Sequence, residues 1–146
     1  MKLYLMRHGQ AQSKDLDPDQ GLSEKGKTEV LQLARKLEAR SIQIDRIIHS
    51  NKTRARQTAE LVQGVVADSA QCNESDDIKP NDDPEKLKKQ ITDWTVDTLV
   101  VSHLPFIPAL IDKLSSSNDK VSFDTGTIAC LEKNGMTWKV LWVENP

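Results

Sequence analysis

The run Thr98-Leu99-Val100-Val101-Ser102 contains no charged residue and has three consecutive aliphatic side chains at its centre. A strand points successive side chains to opposite faces, so a run like this must be covered on both sides. Leu3-Tyr4-Leu5-Met6 has the same character. Two such strands call for a mostly parallel sheet sandwiched between helices.

The intervening segments supply those helices. Ser23 reads as an N-cap with Glu24 in the first turn, followed by an apolar face of Val30, Leu31, Ala34 and Leu37 that ends near Ala39-Arg40. A second strand is predicted over Arg46–His49. Ser50 then reads as the N-cap of a helix running to about Gln63, with Leu61 and Val62 on its apolar side. From Ala67 to Glu85 the chain is acidic and broken by Pro80 and Pro84, with a short strand predicted near Ile78. Leu87 and Ile91 mark a short helix, and Ile107, Leu110 and Ile111 another from about Pro105 to Leu114. Ser115–Asn118 reads as loop. Asn134-Gly135 separates two final strands, Gly126–Lys133 and Met136–Val143, and is a strong hairpin signal. The expectation is a three-layer α/β fold with a C-terminal antiparallel hairpin at the sheet edge. Its 146 residues suit a single domain over 1–146.

In such a sheet, ligands bind beyond the carboxyl ends of the strands. Arg7 and His8 follow the first strand, and His103 follows the Thr98–Ser102 strand. Arg54 lies in the first turns of the helix after the second strand, where free backbone N–H groups favour an anion. These four residues can converge on a phosphoryl group, one imidazole attacking it and the arginines neutralising its oxygens. Gly9 permits close backbone approach behind His8. Singly, each would read as an ordinary surface or capping residue; the case rests on their joint placement. Lys52 and Arg56 read as solvated cations, and His49 as a strand-end residue without a catalytic role.

The net charge of −2 argues against a general nucleic-acid or membrane-surface role. Cys72 and Cys130 have no metal-ligand or redox spacing and read as reduced thiols. No apolar run approaches a membrane span and no secretory signal precedes Leu3, so a cytoplasmic location is expected. No dimer signature is present, so a monomer is expected.

Leu5-Met6-Arg7-His8-Gly9-Gln10-Ala11 resembles the Arg-His-Gly signature of the histidine phosphatase superfamily, the phosphoglycerate mutase-like fold. Leu22-Ser23-Glu24-Lys25-Gly26 resembles its next recurring segment. The segment from Ser50 to Ala59, with Arg54, Gln57 and Thr58, is similar to its Ser-x-x-x-Arg-Ala-x-Gln-Thr-Ala motif. Val101-Ser102-His103 resembles the strand bearing its second histidine, and Thr125-Gly126-Thr127-Ile128-Ala129 its late strand. The small size and His103-Leu104-Pro105 resemble the SixA-type phosphohistidine phosphatase branch.

That resemblance implies His8 as the nucleophile, with Arg7, Arg54 and His103 binding the phosphoryl oxygens and stabilising the transition state. It implies a carbonyl, that of Gly9, orienting the His8 ring, a protonated His103 acting as donor, and no metal or other cofactor. Asn51 stands where many relatives have proline. Lys14 stands where larger members have a phosphate-binding asparagine, so no role is carried there. Larger members also carry a proton-donating glutamate on an insertion that this chain lacks. Glu74, Asp76, Asp77, Asp82 and Asp83 occupy that interval without a matching motif and read as a solvated acidic loop. A phosphohistidine tolerates a missing acid, because imidazole leaves far more readily than an alkoxide. The missing insertion also implies an open site suited to a protein substrate.

The leading expectation is removal of phosphate from a histidine-phosphorylated signalling protein, such as a phosphotransfer domain or phosphocarrier. A small-molecule phosphomonoesterase is the second. A non-catalytic module that docks a phosphoprotein is the third, and it would require a broken pocket. A mutase is disfavoured, since nothing resembles a closed site that retains a phosphorylated intermediate.

Overall fold

The structure, a computed structural model, describes residues 1–115 and 120–146. Most of the expected Ser115–Asn118 loop lies outside the described residues. Six strands form one sheet: β1 (Lys2–Arg7), β2 (Arg46–His49), β3 (Gln71–Glu74), β4 (Thr98–Ser102), β5 (Ile128–Asn134) and β6 (Thr137–Glu144). Their order is β3-β2-β4-β1-β5-β6. The pairs β3·β2, β2·β4 and β4·β1 are parallel, while β1·β5 and β5·β6 are antiparallel. The fold is thus α/β, with the expected antiparallel hairpin at the edge.

Alternation along the central strands sorts the core into two layers. Tyr4 and Met6 of β1 and Leu99 and Val101 of β4 pack with helices α1 (Glu24–Ala39) and α2 (Thr53–Val66). Leu3, Leu5 and Val100 face the other way and pack with α3 (Pro84–Ile91) and α4 (Phe106–Leu114). This is the period-2 division that two-sided burial imposes on an apolar strand.

Ser23 caps α1, its Oγ accepting the Gly26 N–H at 2.9 Å. The buried stripe of α1 is Val30, Leu33, Ala34 and Leu37. Leu33 replaces the expected Leu31, which is only half-buried, because Leu33 lies closer to the 3.6-residue line through Val30 and Leu37. Gly26 presses against the neighbouring loop: a Cβ there would collide with the Gln10 carbonyl.

Two expectations are corrected. Ser50 does not cap α2; the cap position is Lys52, and no side chain caps that helix. The strand expected near Ile78 lies instead at Gln71–Glu74. Those residues are mostly exposed, and they are held as an edge strand by parallel pairing with β2. Ile78 is buried outside any strand, and its carbonyl accepts the Ser102 hydroxyl at 2.7 Å.

Candidate active site

The carboxyl ends of β1, β2 and β4 open side by side, and each delivers a residue of interest. His8 directly follows β1 and is anchored by its N–H to the Ser102 carbonyl of β4. Its ring lies 5.0 Å, centroid to centroid, from that of His103, which directly follows β4. Arg54, in the first turn of α2, places its Nε 3.4 Å from His8 Nε2. Arg7 ends β1, and its Nη1 donates to the Phe123 carbonyl at 3.0 Å. Segments distant in sequence therefore meet at one sheet end.

Three residues one helical face apart tie α2 to the loops around His8. Arg54 reaches His8, Gln57 Oε1 accepts the Leu22 N–H at 2.7 Å, and Thr58 Oγ1 accepts the Gly9 N–H at 2.9 Å. Their i, i+3, i+4 spacing puts them on a common surface. Gly9 packs closely behind His8; a Cβ would come within 2.6 Å of Val30 Cγ2. On the far side, Gly126, with φ of +81°, bonds its N–H to the His8 carbonyl at 3.0 Å. A positive φ is costly for any residue with a Cβ.

The protonation of His8 follows from its neighbours. Nδ1 lies 2.7 Å from the Gly9 carbonyl. A carbonyl only accepts, so Nδ1 carries the proton. Arg54 Nε–H points at Nε2, which therefore presents its lone pair. Burial lowers the pKa of His8 to about 4, reinforced by Arg54 and Arg7 and opposed by the Gly9 carbonyl. The ring is thus neutral near pH 7, with an in-plane lone pair on Nε2. His103 is lowered to about 3, by burial first and then by His8, Arg54, Lys52 and Arg7.

Two buried polar atoms have no hydrogen-bond partner among the described residues: Arg7 Nε and His103 Nδ1. Unsatisfied buried groups of this kind are rare and call for a missing partner. Both belong to residues that flank His8, and the charge of Arg7 acts on both imidazoles. The first turn of α2 also lacks a side-chain cap. Such an arrangement suits a multivalent anion whose central atom lies in reach of His8 Nε2.

The remaining sequence candidates stand apart. Arg56 is exposed and pairs with Glu60 at 3.2 Å. His49 ends β2, buried, with Nδ1 donating to the Ser50 carbonyl at 2.9 Å. Lys52 is half-buried, and Lys14 is exposed. Asp77 accepts from Gln90, Asp82 from the Lys79 N–H, and Asp83 caps α3, while Glu74 and Asp76 are exposed. Among the described residues, no cluster of three or more His, Cys, Asp or Glu side chains could hold a metal ion. Nor is any described helix long and apolar enough to cross a membrane.

Sequence reasoning placed Ser50, Gln57, Thr58 and Gly126 in recurring segments without giving them a role in the site, and it missed the Phe123 carbonyl. The i, i+3, i+4 spacing of Arg54, Gln57 and Thr58 was a signal for their shared face.

A family model described as the histidine phosphatase superfamily (branch 1) matches residues 3–79. The structure is similar to that of the protein histidine phosphatase SixA complexed with tungstate, with a TM-score of 0.90 and 24% identity over 99% of this chain and 97% of that one. It is similar to a candidate phosphohistidine phosphatase SixA from Nakamurella multipartitia, with a TM-score of 0.83 and 25% identity over 99% and 95% of the two chains. A candidate alpha-ribazole-5'-P phosphatase from Escherichia coli is more distant, with a TM-score of 0.78 and 18% identity over 100% and 96%. Among curated proteins, none matches.

Proposed function

The chain belongs to the histidine phosphatase superfamily, and from that premise we propose that it removes phosphate from a histidine-phosphorylated protein through a covalent intermediate on His8. In the first step His8 Nε2 attacks phosphorus in line, the N–P bond of the substrate breaks, and the departing imidazole takes a proton from water. In the second step water attacks the phosphorylated His8, releasing orthophosphate and restoring the free Nε2. Arg7, Arg54 and His103 hold the oxygens in both steps and stabilise the charge that spreads over them.

The observation that carries this reading is the pair of unpartnered buried atoms, Arg7 Nε and His103 Nδ1, beside a neutral His8. A phosphoryl group supplies the acceptors they lack, and a neutral imidazole supplies the electron pair. A docking module would not need a nucleophile held in its reactive tautomer.

The substrate class follows from what the interval between α2 and β4 contains. β3 edges the sheet and α3 buries Leu87 and Ile91 in the core, while three of the five candidate carboxylates, Asp77, Asp82 and Asp83, are engaged in local structure. No motif in the interval supplies a proton donor. A positioned acid contributes about 10²–10⁴ in rate when an alkoxide departs. Its lack therefore penalises phosphate esters more than phosphohistidine. The likeness to SixA structures points the same way, while the shared fold of the alpha-ribazole-5'-P phosphatase keeps ester hydrolysis as the second reading.

Turnover on a histidine-phosphorylated phosphotransfer domain should exceed turnover on a panel of phosphate monoesters. Faster hydrolysis of the esters overturns the substrate assignment. His8→Ala should abolish both activities and the acid-labile phosphoenzyme. Normal hydrolysis by that variant removes His8 from the mechanism.

A further inference from the structure

Ser50 follows the last residue of β2 and is fully buried. Its backbone is fixed on two sides: its N–H donates to the Val101 carbonyl at 3.2 Å, and its carbonyl accepts from His49 Nδ1 at 2.9 Å. Its hydroxyl has two contacts among the described residues. The Lys52 N–H lies 3.3 Å from Oγ, and His103 Nε2 lies 2.5 Å away.

A hydroxyl has one hydrogen to place. The Lys52 amide only donates, so it cannot receive that hydrogen. If His103 also donated, through an Nε2–H, the buried hydroxyl hydrogen would be stranded, at a cost of about 1–3 kcal/mol. Every group is satisfied when Ser50 donates to Nε2. The proton of a neutral His103 ring then sits on Nδ1, the buried atom that has no partner among the described residues.

We propose that Ser50 is a positioning residue that locks His103 in its Nδ1–H tautomer, so that a neutral imidazole offers a hydrogen-bond donor to a phosphoryl oxygen beside His8. This rests on reading the site as a phosphatase centre. The two rings are then set in the same tautomer by different means and show opposite ends. The Gly9 carbonyl holds the His8 proton on Nδ1, leaving the Nε2 lone pair to attack. The Ser50 hydroxyl occupies Nε2 of His103, leaving Nδ1–H to bind oxygen. The low pKa of His103, about 3, agrees with this: burial first, and then neighbours that include His8, Arg54 and Arg7, disfavour a further cation, and a neutral donor adds a hydrogen bond without that cost.

The test is nitrogen–proton correlation NMR on histidine-labelled protein near pH 7, without phosphate. The chain has three histidines, so assignment by single substitution is direct. His103 in the unaltered protein should show the Nδ1–H tautomer with a hydrogen-bonded, unprotonated Nε2. Ser50→Ala should shift it toward the Nε2–H form, and Ser50→Thr, which keeps the hydroxyl, should restore the original pattern. In kinetics, deleting an oxyanion donor outright costs about 10²–10³ in kcat. Ser50→Ala keeps the ring, so a loss of roughly ten- to a hundredfold is expected, largely in kcat and rescued by Ser50→Thr. An Nε2–H tautomer or an imidazolium in the unaltered protein overturns the proposal, whether or not Ser50→Ala folds. An unchanged tautomer in Ser50→Ala also overturns it. The spectrum needs no substrate, so a protein without phosphatase activity would sink the functional reading separately.

Discussion

Arg54 Nε stands 3.4 Å from His8 Nε2, on the lone pair that would attack phosphorus. The guanidinium thus guards the nucleophile, and an arriving phosphoryl group must draw it onto its own oxygens. Arg54→Ala removes this cation from the oxygens in the ground state and the transition state alike. We expect kcat/KM to fall by about 10²–10³, with weaker inhibition by orthophosphate. Arg54→Lys should rescue little, because a point charge lacks the planar fork. Steady-state kinetics decides the matter: unchanged constants would place Arg54 outside the pocket.

The protonation state of His8 sets the acid side of the pH profile. Burial and the neighbouring guanidinium groups lower it to about 4 from its ordinary 6.5. The nucleophile therefore stays deprotonated at Nε2 well below neutrality. The acid limb of kcat/KM, which reports the free enzyme, should fall near pH 4. A limb near the ordinary value for histidine, measured with a substrate that does not itself titrate there, would mean that His8 is more hydrated than its surroundings imply.

The same two imidazoles make stability depend on pH. In the unfolded chain each takes up a proton as pH falls through 6.5, whereas the native protein resists until about 4 for His8 and about 3 for His103. Between those limits the unfolded state binds more protons, so stability rises with pH. Their contribution is complete above pH 6.5 and is progressively lost on acidification toward 3. The loss is on the order of a few kcal/mol. Denaturant midpoints at successive pH values should fall on acidification, and His8→Ala/His103→Ala should flatten that slope. An equally steep slope in the double variant would trace acid sensitivity to the carboxylates instead.

How far the sequence disclosed this molecule depended on whether the deciding contact was local. β1 and β4 were legible because burial on both faces writes itself into an unbroken apolar run. The His8–Gly9 bond was expected only through the family resemblance, and α2 disclosed Arg54 through its motif. Ser50 was misread because a serine before a helix resembles a cap, while its partner, His103, lies 53 residues away. β3 was misplaced for a related reason. Gln71–Glu74 has no apolar pattern, and only its register against Arg46–His49 makes it a strand. Ile78 offered the apolar signal instead, but its burial serves the α3–α4 layer.

Thr58 joins the two halves of the site. Its Oγ1 accepts the Gly9 N–H at 2.9 Å and donates to the Arg54 carbonyl at 2.8 Å, so one hydroxyl connects the turn behind His8 to the helix bearing Arg54. Thr58→Val keeps the shape of the side chain but leaves the Gly9 N–H without an acceptor. The expected destabilisation is about 1–3 kcal/mol, the usual result of stranding a buried donor. Gly9 also supplies the carbonyl that sets the His8 tautomer, so loosening it should lower kcat more than it raises KM. Thr58→Ser restores the hydroxyl and should recover most of both losses. Chemical denaturation alongside kinetics at saturating substrate separates the effects. A Thr58→Val protein with native stability and native kcat would show that the turn behind His8 is held by its packing against Leu22 and Val30 alone.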